Sequence, residues 1–359
     1  MTTPFKIPFY VRASLISVGV FTFISALYIS QRIVVPLIYA IIIAIVLSPI
    51  VNLLVRHKIN RIVAIALTIL IMIVVSVSII ALLSSQINML SESFPKLITK
   101  FSQLLHQMEA WASDNFNIST LKINIWVDKI NGELLDSCSL LIGPTLLNIG
   151  SVLVVLVLIP VYIFMILFYQ PLLIGFIHKL FSTNKSDDVD EVLIATKRII
   201  RSYLVGLLIE GSIIATLNST SLLILGIDYA ILLGVIGAIL NVIPYIGGII
   251  GVTLPMLIAF ATKSFTYAIL VFVFSIFIQF IDNHFLIPKI VASKVQINAL
   301  VSIIVVLAGG ALWGVPGMFL SIPLTAILKV IFDHVDGLKP LGYLLGRGKY
   351  KNGLKPNIH

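Results

Sequence analysis

Apolar runs of about twenty residues recur along the whole chain, each long enough to cross a hydrocarbon layer of about 30 Å as a helix. Hydrocarbon offers no water to free backbone groups, so a crossing chain must stay helical or cover every break. The stretch Asn241-Val242-Ile243-Pro244-Tyr245-Ile246-Gly247-Gly248 interrupts an apolar run of about thirty residues. Pro244 removes a backbone donor, and Gly247, Gly248 and Gly251 each cost a helix about 1 kcal/mol. Two readings are open. One is a kinked helix, or a short loop between two spans. The other is a break covered by protein or by a watery cavity, which is where transporters place their sites.

Hydrophobic residues make up 59% of the 359 and charged residues 11%. A soluble domain carries about 25% charge, so the chain is an integral membrane protein, and its many apolar runs exclude a single anchor. The first run leads into more apolar chain without a small-residue cleavage site, so no cleavable signal is expected. A net charge of +9 raises the question of nucleic acid. The bases cluster beside apolar runs instead, as in the positive-inside pattern, and the bilayer is the expected surface partner. Cys138 is the one cysteine, so no internal disulfide forms, and neither a metal site nor a cofactor is expected.

Lys6 and Arg12 precede a first span at about 13–30, and a second runs over about 33–54. Arg56, His57, Lys58 and Arg61 then make a basic turn before a third span at about 62–83. Two basic clusters separated by two spans lie on one side, expected to be the cytoplasm. Residues 84–146 lose the continuous apolar character. Leu90, Phe94, Leu97, Phe101, Leu104, Met108 and Trp111 recur at helical spacing, and a weaker stripe carries Trp126, Ile130 and Leu134. This external amphipathic insert can dock on the spans, lie on the lipid surface or pair with a neighbouring subunit.

A fourth span at about 147–169 carries Pro160 and returns the chain inward. Ser186 or Asp187 can cap a following helix, with Asp188, Asp190 and Glu191 at its positive end. Val189, Val192, Leu193, Thr196, Ile199, Ile200 and Tyr203 share one side of it, as in a helix lying on the inner surface. The fifth span, about 202–225, holds Glu210 near its middle. Tyr203, Glu210, Ile214, Asn218 and Ser221 fall on one face. A charge at that depth costs about 2.5–3.5 kcal/mol, so the face should meet protein or water. Glu210 then serves as a coupling-ion or proton site, or it is held protonated or paired with an arginine for structural reasons.

A span at about 265–281 follows the first broken block, and Pro288, Lys289 and Lys294 lie beyond it. The last apolar block, about 297–331, is broken at Gly309-Gly310, Gly314, Pro316-Gly317 and Pro323. The tail is basic, with Lys339, Arg347, Lys349, Lys351 and Lys355. Five spans leave residue 226 outside, and the span at 265–281 adds one crossing. If Lys289, Lys294 and the tail are all inside, each broken block crosses an even number of times. Each is therefore two thin passes or a re-entrant hairpin, one entering from outside and the other from inside. Gly248-x-x-Gly251 with Pro255 and Gly314-x-x-Gly317 with Pro323 give the two blocks a common pattern.

Four segments in order carry a family likeness. Arg201-Ser202-Tyr203-Leu204-x-Gly206 resembles the entry to the fifth span of the autoinducer-2 exporter (AI-2E) family. Ile243-Pro244-Tyr245-Ile246-Gly247 resembles that family's Ile-Pro-x-Ile-Gly signature. Gln279-x-Ile281-Asp282-x-x-x-Leu286-x-Pro288 is similar to its Gln-x-Ile-Glu-Gly-Asn-x-Leu-x-Pro element, and Gly309-Gly310-x-x-x-Gly314-x-x-Gly317 with Pro323 resembles its final block. Asp282 stands where Glu is common, which keeps the charge on a shorter reach, and Asn283-His284 stands where Gly-Asn is usual. An imidazole can donate as an amide does and can also take up a proton. The resemblance implies transport: export of the furanone signal autoinducer-2 by some members, sodium–proton exchange by others. It further implies homo-oligomers, pentamers in the family picture, and an elevator-like movement of the hairpin-bearing half.

The expected fold is all-α and polytopic, with about eight membrane segments, two of them Gly/Pro-broken re-entrant-like hairpins, plus the external amphipathic helical insert. The division runs 1–83 for the first three spans, 84–146 for the insert and 147–200 for span four with the interfacial helix. It continues with 201–335 for the hairpin-bearing region and 336–359 for the basic tail. The expected transport-site residues are Glu210, Asn218, Asn241, Pro244, Tyr245, Gly247, Gly248, Gln279, Asp282, Asn283, His284, Gly314 and Gly317. The leading function is a secondary transporter exporting a small polar solute by alternating access from the plasma membrane, both termini cytoplasmic. A cation–proton antiporter is its alternative, and a passive channel stands behind both. An enzyme is disfavoured: the chain has neither His-Glu-x-x-His nor Gly-x-Ser-x-Gly, and its six histidines are scattered.

Overall fold

The computed structural model of the chain describes residues 8–116, 149–180, 186–243, 246–291 and 297–346. They form eleven α-helices: α1 Phe9–Ile29, α2 Gln31–Arg56, α3 Arg61–Phe116, α4 Ile149–Phe168, α5 Gln170–Leu180, α6 Ser186–Ile224, α7 Ala230–Asn241, α8 Ile246–Thr262, α9 Phe265–Ile281, α10 Ala299–His334 and α11 Lys339–Leu345. A π-helical segment, Asp282–Val291, prolongs α9. Among the described residues no strand occurs beyond one isolated bridge, Ile297 to Gly346. The chain is an all-α, multi-pass membrane protein.

Among the described residues six helices are long and apolar enough to cross, and seven if Val157–Phe168 and Gln170–Leu180, bent by 64°, count as one span. The expectation of about eight segments counts each broken block as one; by helix length alone the first block is not among the crossing helices, because α7 has 12 residues, about 18 Å of helix, and falls short of the hydrocarbon thickness.

Two boundaries read from hydropathy are not breaks in the helix. α3 runs for 56 residues through the expected edge at 83. From Arg61 to Phe94 the sequence has neither glycine nor proline, so polarity rises while the backbone has no reason to stop. The second stripe of the insert, around Trp126, lies outside the described residues, as does the tail from 347. α6 likewise joins the expected interfacial helix and the fifth span into one helix of 39 residues, about 58 Å long. It is the spine of the molecule and packs against α2, α5, α7, α9, α10 and the π-helical segment.

α2, α3 and α4 meet through small side chains. Ala40, Ala44 and Ala64 are fully or almost fully buried with Ile65, Ile69, Ile163 and Leu167. Small residues let backbones approach, which is how helices associate where lipid removes the hydrophobic drive. Arg61 donates to the Leu167 carbonyl at 2.9 Å and to Gln170 Oε1 at 3.3 Å, fixing the elbow between α4 and α5.

Both broken blocks are hairpins. α7 and α8 pack on each other with Gly237 facing Gly251; a methyl on Gly251 would lie 3.3 Å from the Gly237 Cα. The open end of this hairpin is buried with Leu222 and Ile227, at the C-terminal end of α6. Leu90 of α3 covers it, and Gln86 accepts the Leu232 N–H at 3.0 Å, a first-turn donor that α7 itself leaves free. The second hairpin is α10. Gly314 sits at φ 65°, ψ −147°, a backbone that only glycine adopts without cost, and there the chain turns back. A methyl on Gly309 would meet Ser321 Oγ at 2.1 Å, although these residues would be about 18 Å apart in a straight helix.

The hairpins enter from opposite ends. His334, closing the second one, lies 3.9 Å from Glu191, near the N-terminal end of α6. At that same open end Asn298 caps α10 by accepting the Val301 N–H at 2.8 Å, and its amide donates to the Leu344 carbonyl at 2.7 Å. The paired, oppositely directed arrangement argued from the basic loops is therefore present.

Gly317 has the Gly309 carbonyl oxygen 2.0 Å from where its methyl would stand, whereas Gly175 has open space. Gly317→Ala is expected to destabilise the protein by about 1–3 kcal/mol and Gly175→Ala to leave it unchanged, read as thermal unfolding in detergent.

Candidate functional site

The three polar side chains that meet inside the bundle come from three elements. Glu210 lies midway along α6 and is 4% exposed. Asn241 ends α7, at the tip of the first hairpin. Asp282 opens the π-helical segment and is 0% exposed. The Asn241 amide donates to Glu210 Oε1 at 3.2 Å and to Asp282 Oδ2 at 2.8 Å, so its two hydrogens join two carboxyl groups. Asp282 Oδ1 is buried with no hydrogen-bond partner. Among the described residues neither carboxyl group has a salt-bridge partner. The arginine weighed as a structural partner for Glu210 is thus replaced by an amide.

Local sequence explains each placement. Glu210 is held at depth because α6 has no proline. Asn241 stops where α7 stops, since Gly247 folds the chain back: its N–H donates to the Ile243 carbonyl at 3.0 Å, and a methyl there would lie 1.8 Å from the Leu240 oxygen. Asp282 stands where the α-helix loosens into a π-helix, a change of pitch frequent at functional positions.

The other expected residues divide. Gln279, one turn before Asp282, lies against Gly248; a methyl on that glycine would stand 3.3 Å from Gln279 Oε1. Asn218, two turns beyond Glu210 on α6, faces Gly237 across the hairpin arms. Asn283 and His284 are exposed; the His284 ring stacks on Phe280 at 4.3 Å, and its Nδ1 is 3.0 Å from the Phe280 carbonyl. They do not join the cluster. Pro244 and Tyr245 lie outside the described residues.

Gly314 and Gly317 belong to another neighbourhood. Beside them Trp313 Nε1 donates to the Leu27 carbonyl of α1 at 3.1 Å, and the Tyr39 hydroxyl of α2 donates to the Pro316 carbonyl at 3.2 Å. Tyr39 escaped the sequence reading. Its signal is slight, a lone hydroxyl in an apolar run.

Electrostatics define what the cluster can do. Two carboxylates side by side away from water repel each other and lose hydration, which one amide does not offset. A proton or a cation between them removes most of that cost. No group of three or more His, Cys, Asp or Glu suited to a metal ion occurs among the described residues.

The sequence model described as "AI-2E family transporter" matches residues 16–337. The chain belongs to that family. The AI-2 transport protein TqsA of Escherichia coli K12 is 26% identical over 321 residues, covering 88% of this chain and 90% of that one. The putative transport protein YhhT of the same organism is 23% identical over 334 residues, 92% and 93% of the two chains. The putative transport protein YrrI of Bacillus subtilis strain 168 is 38% identical over 133 residues, a match spanning 37% of each. In this AI-2E transporter the match contains both hairpins and all three clustered side chains.

Asn241→Ala strips both carboxyl groups of their shared donor and is expected to cost about 1–3 kcal/mol. In a double-mutant cycle the loss caused by Asn241→Ala should be smaller by about 0.5–2 kcal/mol where Glu210 is already Gln, measured by thermal unfolding.

Proposed function

We propose that this chain is a secondary transporter that exports a small polar solute by alternating access, with Glu210, Asn241 and Asp282 as its coupling site. The observation that carries the reading is the Asn241 amide at a hairpin tip, joined to two buried carboxyl groups on separate helices. A hairpin entering a membrane part-way brings a movable tip to mid-depth, the place where carriers bind solute and ion. Movement of the tip takes Asn241 from the carboxyl pair, and a proton or cation then substitutes for the lost donor. Binding and tip position are coupled in this way, each favouring the state that satisfies the charges.

The same groups support one substrate class. Amide and carboxyl groups without a charged counterpart suit a neutral, hydroxylated solute better than an anion. TqsA is named an AI-2 transport protein, and autoinducer-2 is the first solute to try. A cation–proton antiporter is the second reading. The partnerless Asp282 Oδ1 favours it, because a hard cation takes just such oxygen ligands. The basic turn at Arg56–Arg61 supports a plasma-membrane location with that end in the cytoplasm, and the family likeness supports a homo-oligomer.

In proteoliposomes, a proton or sodium gradient should drive autoinducer-2 flux, and Glu210→Gln or Asp282→Asn should lower it at least tenfold with assembly unchanged. Gradient-driven flux that survives both substitutions refutes the coupling role. Sodium addition that dissipates a proton gradient in inverted vesicles, without any solute, selects the antiporter instead.

A further inference from the structure

Away from the carboxyl cluster, a cleft of about 690 Å³ opens between the first half of α6 and the π-helical segment. Lys197, Arg198 and Arg201 line one part of it, and Val205, Ile209 and Ile290 line the other. On α6 the three bases fall within about 100° of arc, and Val205 and Ile209 continue the same stripe along the helix. Gly206 forms part of the floor: the Ile290 carbonyl oxygen lies 2.9 Å from where its methyl would be, so π-segment and α6 lie close together there. Val205 and Ile209 are 37% and 48% exposed, so the apolar wall faces outward from the bundle.

Depth sorts these residues. From Arg201 to Ile224, the end of α6, the helix rises about 35 Å, slightly more than the hydrocarbon thickness of about 30 Å. Arg201 therefore reaches the interface at the base-rich end, Lys197 and Arg198 stand about one turn further out, and Val205 and Ile209 lie at acyl-chain level. No carboxylate is within salt-bridge distance of the three bases among the described residues. Asp190 and Glu191, one to three turns back on α6, line an adjoining cavity with Arg198 and lie 3.0 Å from His178 and 3.9 Å from His334.

We propose that this cleft binds one anionic phospholipid, its phosphate on Lys197, Arg198 and Arg201 and its proximal acyl chain along Val205 and Ile209. A free phosphate would use only the basic part, whereas a phospholipid uses both. A zwitterionic lipid gains little from three positive charges, while an anionic one gains about fivefold in affinity per base. The site stands on the membrane reading alone and does not depend on which solute is carried.

The test titrates the purified full-length protein in detergent with fluorescent phosphatidylglycerol, with phosphatidylcholine in parallel and inorganic phosphate as competitor. Phosphatidylglycerol should bind at least tenfold more tightly than phosphatidylcholine. Lys197→Gln, Arg198→Gln and Arg201→Gln combined should lose on the order of 100-fold. Arg201→Gln alone should lose about fivefold, and decides the matter if the triple variant does not fold. Val205→Trp, which fills the apolar wall, should weaken the lipid and leave inorganic phosphate unaffected. Arg56→Gln with Lys179→Gln removes two bases elsewhere and should change nothing. Three results overturn the proposal: an equal loss in that control, equal affinity for phosphatidylcholine, or displacement by inorganic phosphate at concentrations matching the lipid's, which marks a free-phosphate site.

Discussion

Inside a hydrocarbon layer a backbone N–H or C=O that leaves its helix has no water to turn to, and the cost of each orphan is several kcal/mol. This chain starts and interrupts helices inside the bundle and meets the freed groups with side chains from elsewhere. Gln86 of α3 takes the Leu232 N–H at the start of α7. Tyr39 of α2 donates to the Pro316 carbonyl beside the turn at Gly314, and Trp313 reaches back to the Leu27 carbonyl near the end of α1 that joins α2. Each is a long-range contact, spanning 146 to 286 residues of sequence. The first three helices are thus more than anchors: they supply the partners that allow the later part of the chain to be broken.

Close packing makes those breaks into hairpins. Gly237 against Gly251, and Gly309 against Gly317, bring backbone to backbone where any side chain would intervene. In water such approaches would be driven by burying apolar area. In lipid they depend on fit, because a leucine is as well solvated by an acyl chain as by another helix. Small residues at the crossing points, in α2 and α3 as in the hairpins, are the means of that fit.

With the hairpins placed, the polar chemistry collects where the first one ends. Asn241 is the only described side chain joining both Glu210 and Asp282, and it is carried by a short helix that enters from the opposite end to the second hairpin. The carboxyl cluster and the basic cleft both lie along α6, Ile209 of the cleft being adjacent to Glu210. One long helix therefore sets the depth of each.

The apolar runs and basic turns settled the class, the glycine–proline interruptions narrowed each broken block to two thin passes or a hairpin with opposite entry, and the four motifs pointed to the family. All of these are local properties or simple counts, so the linear sequence contains them. Hydropathy misplaced the limits of α3 and α6, since polarity marks where lipid ends and not where helical hydrogen bonding ends. Glu210, Asn241 and Asp282 could each be suspected from a polar side chain in an apolar run. Their meeting could not, because they are separated by 31 and 41 residues and joined only by the return of a hairpin. Asn283 and His284 follow Asp282 directly, yet the π-helical pitch leaves them exposed while Asp282 is buried. Tertiary structure alone decided which polar groups face one another, because that depends on where three helices cross.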